Sequence, residues 1–414
     1  MLDAVIMLWL NLGHLFTDLN QGALPLMLPL LQKSLGLSYT ATGAIVLASQ
    51  ISSSIVQPLF GYYSDRRSML WIMPLGILVT GMGIGLAGIA SNYPVLLLAV
   101  LLSGLGAASF HPEASKVAFL IGGPRRASAM SIFYVGGNLG FGLGPLLATA
   151  LIGWFGLPGM LGVIAPSALM ALGLRASFPR IVRVTGEGLK HHSRVPGREI
   201  WSTLFSRPVM LLVLVVSIRS WVQMGVVNFI PLWYVNYLGG SQPFISRVVT
   251  AFLIGGAVGT LVGGPVSDSL GRKPVIALSL ALMMPLLYLL IHTRGAWMLV
   301  VSGIAGFVLV STYSVTVVFG QELMPKLLGI ASGLMMGFAI GTGGIGATVL
   351  GRIADVWGMP VALWCIIVLP VLGFALSLLL PRDAAEVIAA GAKEEKAGSY
   401  VQSPTRAGES CCSK

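Results

Sequence analysis

Ionisable and amide side chains are scarce in this sequence, and those inside its apolar stretches fall at helical spacing. His14, Asp18 and Gln21 follow an i, i+4, i+7 pattern, and Pro25 continues the same stripe. A carboxyl beside an imidazole can take up and release a proton; the structural alternative is a permanent buried pair. Arg219 and Gln223 repeat the i, i+4 spacing in a later segment. A guanidinium stays charged and can bind two oxygens of a carboxylate or phosphonate at once. His111, Glu113 and Lys116 flank Pro112, which should kink a helix. Glu113 and its later counterpart Glu322 read either as an acidic pair for a gate or proton step, or as interfacial acids held by Lys116 and Lys326. Gln50, Gln57, Tyr134 and Asn138 could contact a small substrate, or could only make structural hydrogen bonds. No Ser/His/Asp or Cys/His set is suggested. Gly341–Gly346 lies inside an apolar helix and lacks a phosphate-loop lysine. An enzyme, an ATP-driven pump, a metal site and an organic cofactor are therefore not expected.

These groups need an element that can carry them through an apolar phase. An ionisable group inside a bilayer costs about 2.5–3.5 kcal/mol on insertion scales. The chain has 414 residues, 56% hydrophobic and 9% charged, with mean hydropathy +0.88. Soluble domains carry about 25% charged residues, so this chain must be solvated by lipid. Its apolar runs, such as 71–90, 95–109 and 361–380, are continuous rather than alternating, which excludes barrel strands. Twelve helical spans are expected at 4–31, 39–62, 69–90, 94–119, 127–152 and 157–178, then 208–237, 245–267, 273–292, 296–322, 327–350 and 358–380. They form an all-α membrane protein with a six-helix bundle in 1–178, an interdomain loop in 179–207, a second bundle in 208–381 and a tail in 382–414 expected to be disordered. The N-terminus lacks the basic start of a cleaved signal and reads as the first span.

The net charge is +11, yet the basic residues sit in loops and the tail, so they set topology rather than bind nucleic acid. Placing both termini in the cytoplasm leaves only Lys33, Arg247, Arg294 and Arg352 outside, with Arg219 inside a span. Cys365 lies in an apolar helix. Cys411 and Cys412 end the tail, where an unstructured thiol pair is expected.

The two halves repeat one another. Leu24-Pro25-Leu26 matches Ile230-Pro231-Leu232, and Gly61-x-x-x-Asp65 matches Gly264-x-x-x-Asp268. Phe110-x-x-Glu113 matches Phe319-x-x-Glu322, and Gly136, Gly140 and Gly142 match Gly337, Gly341 and Gly343. The repeat places Arg219 and Gln223 close to the counterparts of His14 and Asp18. Glycines 136, 140 and 144, next to Pro145, repeat every four residues and suit close helix packing. Gly264, Asp268, Gly271, Arg272 and Lys273, with the shorter copy Gly61, Asp65 and Arg66, form tight charged turns. An acid there can sit at a helix N-terminus in one conformation and lose that contact in another.

The loop from Gly264 to Lys273 resembles the signature of major facilitator transporters between helices 8 and 9. Ser109-Phe110-His111-Pro112-Glu113-Ala114-Ser115-Lys116, Tyr134-Val135-Gly136-Gly137-Asn138, Gln321-Glu322-Leu323-Met324-Pro325 and Gly333–Gly351 resemble the fosmidomycin resistance protein family of bacterial drug exporters. The resemblance implies proton-driven efflux of a small phosphonate antibiotic across the inner membrane, with the proton gradient as driving force and no other cofactor. Drug antiporters of the wider group carry an arginine in helix 4. Val100–Gly104 has none, so other residues must organise the proton step. An importing symporter or uniporter is the second reading, and a non-transporting sensor or scaffold a remote third. The expected partners are a small substrate, protons and lipid, without nucleic acid; the sequence leaves the oligomeric state open, with a monomer favoured. Arg219 lies about ten residues into its span, roughly 15 Å along the axis at 1.5 Å per residue. Asp18 is its expected resting partner, displaced by an anionic substrate and thereby freed to take a proton.

Overall fold

The computed structural model describes residues 3–37, 39–186 and 195–382. The centre of the interdomain segment, with Lys190 and His191, and nearly all of the tail, with Cys411 and Cys412, lie outside the described residues.

The first half consists of α1 (Ala4–Leu35), α2 (Tyr39–Gln50, continued through Gln57–Arg66), α3 (Ile72–Ala87), α4 (Tyr93–Gly122), α5 (Arg126–Phe155) and α6 (Ile164–Ala176). The second consists of α7 (Arg207–Asn236), α8 (Gln242–Leu270), α9 (Arg272–His292), α10 (Ala296–Val310, continued through Tyr313–Leu323), α11 (Leu328–Ser332, continued through Gly343–Trp357) and α12 (Met359–Leu378). Two pseudo-symmetric six-helix bundles result. Nine stretches among the described residues are long and apolar enough to cross a membrane. α1 is excluded from that set by its polar stripe of Asn11, His14, Asp18, Asn20 and Gln21, and α3 by its 16-residue length. The segment between the halves is not irregular throughout. It holds the short helices Phe178–Thr185 and Gly197–Leu204.

Local sequence explains the joints. Asp3 caps α1 and Asn92 caps α4, each accepting from backbone amides of the first turn. The Arg180 guanidinium, bonded to Asp3 at 2.9 Å, holds that carboxyl below its ordinary range. Gly271 ends α8 at φ 90°, a conformation that favours glycine. Along α5, Gly136, Gly140 and Gly144 lie against the backbone carbonyls of Asn11, Leu15 and Leu19 of α1, where any Cβ would collide. Pro145 sits within α5 and Pro112 within α4. α2 and α11 each contain a π-helical turn, at Ile51–Ile55 and Gly333–Ala339, and these turns face one another across the halves. The expected continuous tenth span is interrupted at Ser311–Thr312. Trp154, Leu169, Leu172 and Trp297 are exposed, as suits a lipid-facing surface.

The halves are sealed to one another at the end bearing the charged turns. Asp65 accepts from the amides of Gly329 (2.7 Å) and Ile330 (2.8 Å) at the start of α11. Asp268 accepts from the amides of Ala127 (3.2 Å) and Ser128 (2.9 Å) at the start of α5, and from the Ser128 hydroxyl (2.7 Å). Each turn thus caps a helix of the opposite half. Gly61 packs on Gly329, and Gly264 on Ala127 and Ser131. Arg66 stacks on Tyr62 at 4.3 Å, and Lys273 donates to the carbonyls of Leu378 (2.7 Å) and Leu380 (2.6 Å).

Candidate functional site

A cavity of roughly 300 Å³ extends from the middle of the bundle toward the end opposite the charged turns. His14, Asp18, Gln21 and Pro25 of α1 line it with Gln50 and Gln57 of α2, His111 of α4, and Tyr134 and Asn138 of α5. From the second half only Met336 and Ile340 of α11 contribute. The helical stripe on α1 therefore faces the cavity, and α4 brings His111 to meet it.

Asp18 is the centre of this arrangement. One carboxylate oxygen lies 3.2 Å from His14 Nε2 and the other 3.1 Å from His111 Nε2. His14 is 2% exposed, and its Nδ1 lies 2.7 Å from the carbonyl oxygen of Phe133. A carbonyl only accepts, so His14 Nδ1 carries a hydrogen. If Nε2 carried none, its lone pair would face a carboxylate oxygen. A proton held between His14 and Asp18 turns this contact into a hydrogen bond. The three ligand atoms lie within 4.8 Å of one another, close enough for a metal ion as well, but a shared proton satisfies the contacts. Gln21 donates to Ser103 at 2.9 Å. Gln57 donates to the Ser53 carbonyl at 2.6 Å. The Tyr134 hydroxyl is buried without a hydrogen-bond partner.

Arg219 is placed elsewhere. It is 2% exposed and does not line the cavity. The expected pairing with Asp18 does not form, because the two histidines of the same half occupy both carboxylate oxygens while Arg219 turns toward α10. Its Nη1 donates to the hydroxyls of Thr316 (3.2 Å) and Thr312 (3.4 Å), and its guanidinium stacks 4.0 Å above the Tyr313 ring. Gln223 accepts from the Tyr313 hydroxyl. The Tyr134 and Tyr313 rings, 6.0 Å apart, stand between the two polar centres. Glu113 and Glu322 do not face one another as an acidic pair. Glu113, fully buried, is bonded to Lys116 (2.7 Å) and Ser64, whereas Glu322 is bonded to Arg272 at 3.0 Å. Lys326 reaches Glu199 at 2.8 Å instead of Glu322.

A polar-walled cavity in a double bundle sealed at one end suits a carrier, and comparison with known sequences decides the family. The sequence model of the Major Facilitator Superfamily matches residues 10–246 and 222–407. The chain belongs to this superfamily. It is 37% identical over 378 residues to the fosmidomycin resistance protein of Escherichia coli K12, covering 90% of this chain and 92% of that one. The match places it in the fosmidomycin resistance protein family. An MFS-type transporter of Bacillus subtilis 168, YfnC, is 34% identical over 384 residues, covering 91% and 93%. Among solved structures, the E. coli fucose:proton symporter FucP superposes with a TM-score of 0.71 at 13% identity, covering 92% of this chain and 99% of that one. This major facilitator protein is a membrane transporter of a small molecule, not an enzyme.

Sequence reasoning missed Thr312, Tyr313 and Thr316. The signal was present as a run of hydroxyls, Ser311-Thr312-Tyr313-Ser314 with Thr316, inside an apolar span.

Proposed function

We propose that this chain is a proton-coupled antiporter that exports a small anionic compound of the phosphonate class across a bacterial inner membrane, with both termini in the cytoplasm. The observation that carries this reading is the His14–Asp18–His111 cluster on the cavity wall, a carboxylate within hydrogen-bond reach of two imidazoles. Protons enter the cluster through the cavity, and the substrate's charge is met by Arg219, a cation without a counter-anion among the described residues. Intramembrane ionisable groups of this kind mark ion and substrate pathways. The fosmidomycin resistance relative supports export and the phosphonate class. Fold alone does not set direction, so the sign of proton movement separates antiport from symport.

The test is transport in proteoliposomes with an imposed pH gradient and fosmidomycin as probe. Asp18→Asn removes the carboxyl proton site at nearly constant volume. It is expected to abolish gradient-driven accumulation while leaving exchange of substrate for substrate. Full gradient-driven transport by Asp18→Asn would remove the cluster from coupling, and proton movement in the same direction as the probe would make the protein a symporter.

A further inference from the structure

The interruption of α10 lies directly against Arg219, and it leaves one edge of that guanidinium unused. Nη1 is held by the hydroxyls of Thr312 and Thr316. Both hydroxyls already donate to backbone carbonyls, Thr312 to Leu309 at 3.0 Å and Thr316 to Thr312 at 3.0 Å, so toward Arg219 they can only accept. Nε and Nη2 are buried and have no hydrogen-bond partner. These two nitrogens form the side-on edge of a guanidinium, the edge that grips two oxygens of a carboxylate or phosphonate in parallel. Among the described residues no carboxylate is bonded to Arg219. A charge buried in this way is costly unless an ion pairs with it. The second segment of α10, Tyr313–Leu323, runs for 11 residues from the break. Interrupted helices near the membrane midplane present such ends to anionic substrate groups in other transporters.

We propose that the α10 break carries an anion subsite: the Nε–Nη2 edge of Arg219 grips the anion, Thr312 and Thr316 orient that edge, and Tyr313 covers it. The inference rests on the anionic substrate proposed above and adds the residues that build its site. The subsite is shut off from the cavity in this conformation. The Tyr134 and Tyr313 rings separate the two, and the Tyr313 hydroxyl is tied to Gln223. In the emptied carrier, the Tyr313 face and the threonine hydroxyls hold the guanidinium where an anion released into the cavity does not return to it. Thr312 and Thr316 are thus positioning residues, and the Tyr313–Gln223 hydrogen bond is the latch that must open.

Calorimetric titration of the purified full chain in detergent tests this. The probes are fosmidomycin, phenylphosphonate, inorganic phosphate and the uncharged diethyl ester of phenylphosphonate. Wild type is expected to bind at least one anionic probe, with phenylphosphonate at least tenfold tighter than its ester. Thr312→Val/Thr316→Val keeps volume and removes both hydroxyls; it should erase the preference for acid over ester, which a merely structural change would not do. Each single Val variant should reduce that preference if the double variant is not monodisperse. Arg219→Lys keeps the charge but loses the fork, and should weaken anion binding at least tenfold. Loss in Arg219→Lys with wild-type selectivity in the threonine variants would overturn the α10 subsite and leave the anionic reading standing. Wild-type binding by Arg219→Lys, or no anion binding by the parent chain, would overturn both.

Discussion

The hydrogen bond from His14 Nδ1 to the Phe133 carbonyl fixes which ring nitrogen faces Asp18. His111 has no such constraint, since its Nδ1 is buried without a partner. The two imidazoles should therefore differ. His14→Ala leaves a buried carbonyl with one bond fewer and opens space beside the stacked Phe133 ring, 4.1 Å away. A loss of about 0.5–1.5 kcal/mol is expected from the missing hydrogen bond alone, read as a lowered unfolding midpoint together with lost coupling. His111→Gln keeps a donor for Asp18 and should retain the midpoint while changing the pH dependence of transport. Equal midpoints for both variants would show that the Phe133 bond orients nothing. The α1 stripe was legible in the sequence because helical spacing alone puts His14 and Asp18 on one face. The partner of Arg219 was not legible. Spacing places a residue on its own helix but does not choose between facing helices, and Asp18 was taken by neighbours within its own half.

At the scale of elements, glycine spacing announced the α1–α5 contact, and the structure shows why no larger residue fits. Gly140→Val would drive side-chain atoms into the Leu15 carbonyl of α1 and should sharply lower the yield of folded protein. Gly153→Ala, on the same helix with open space around it, should leave yield and thermal midpoint unchanged. The α10 break was hidden because Ser311–Thr312 contains neither proline nor glycine, and the two π-helical turns likewise have no simple sequence signature. The charged turns were legible as motifs, but their targets were not. Asp65 and Asp268 each cap a helix of the opposite half, so they hold the closure of one end, Asp268 while also paired with Arg272 of its own turn. A helix cap contributes about 1 kcal/mol. Asp65→Ala/Asp268→Ala should therefore shift the carrier toward the conformation open at that end by roughly tenfold to a hundredfold, since 1.4 kcal/mol is a factor of ten. A cysteine at Ser131, buried against Ser314 across the halves, would report this as faster maleimide labelling. An unchanged labelling rate would show that the closure does not depend on the caps.

For the molecule as a whole, charge and cavity point in opposite directions. Arg66, Arg67, Arg125, Arg126, Arg180, Arg183, Arg198, Arg272, Lys273 and Lys326 gather at the sealed end, while Lys33, Arg247, Arg294 and Arg352 lie at helix ends on the other side. Basic loops are retained in the cytoplasm. The proposed orientation puts the sealed end in the cytoplasm and turns the cavity with its Asp18 cluster toward the outside. Under the proposed function, orientation decides the side from which the Asp18 cluster is loaded with a proton. Starting from a variant with Cys365, Cys411 and Cys412 replaced, single cysteines at Lys190, Arg198 and Gly240 test it in intact cells. Gly240→Cys, in the turn between α7 and α8, should react with a membrane-impermeant maleimide added outside. Arg198→Cys and Lys190→Cys should react only after the cells are permeabilised. Labelling of all three from outside would break the twelve-span topology. Labelling of the two interdomain positions alone would invert the protein, turning the Asp18 cavity toward the cytoplasm and making the outer face the sealed one.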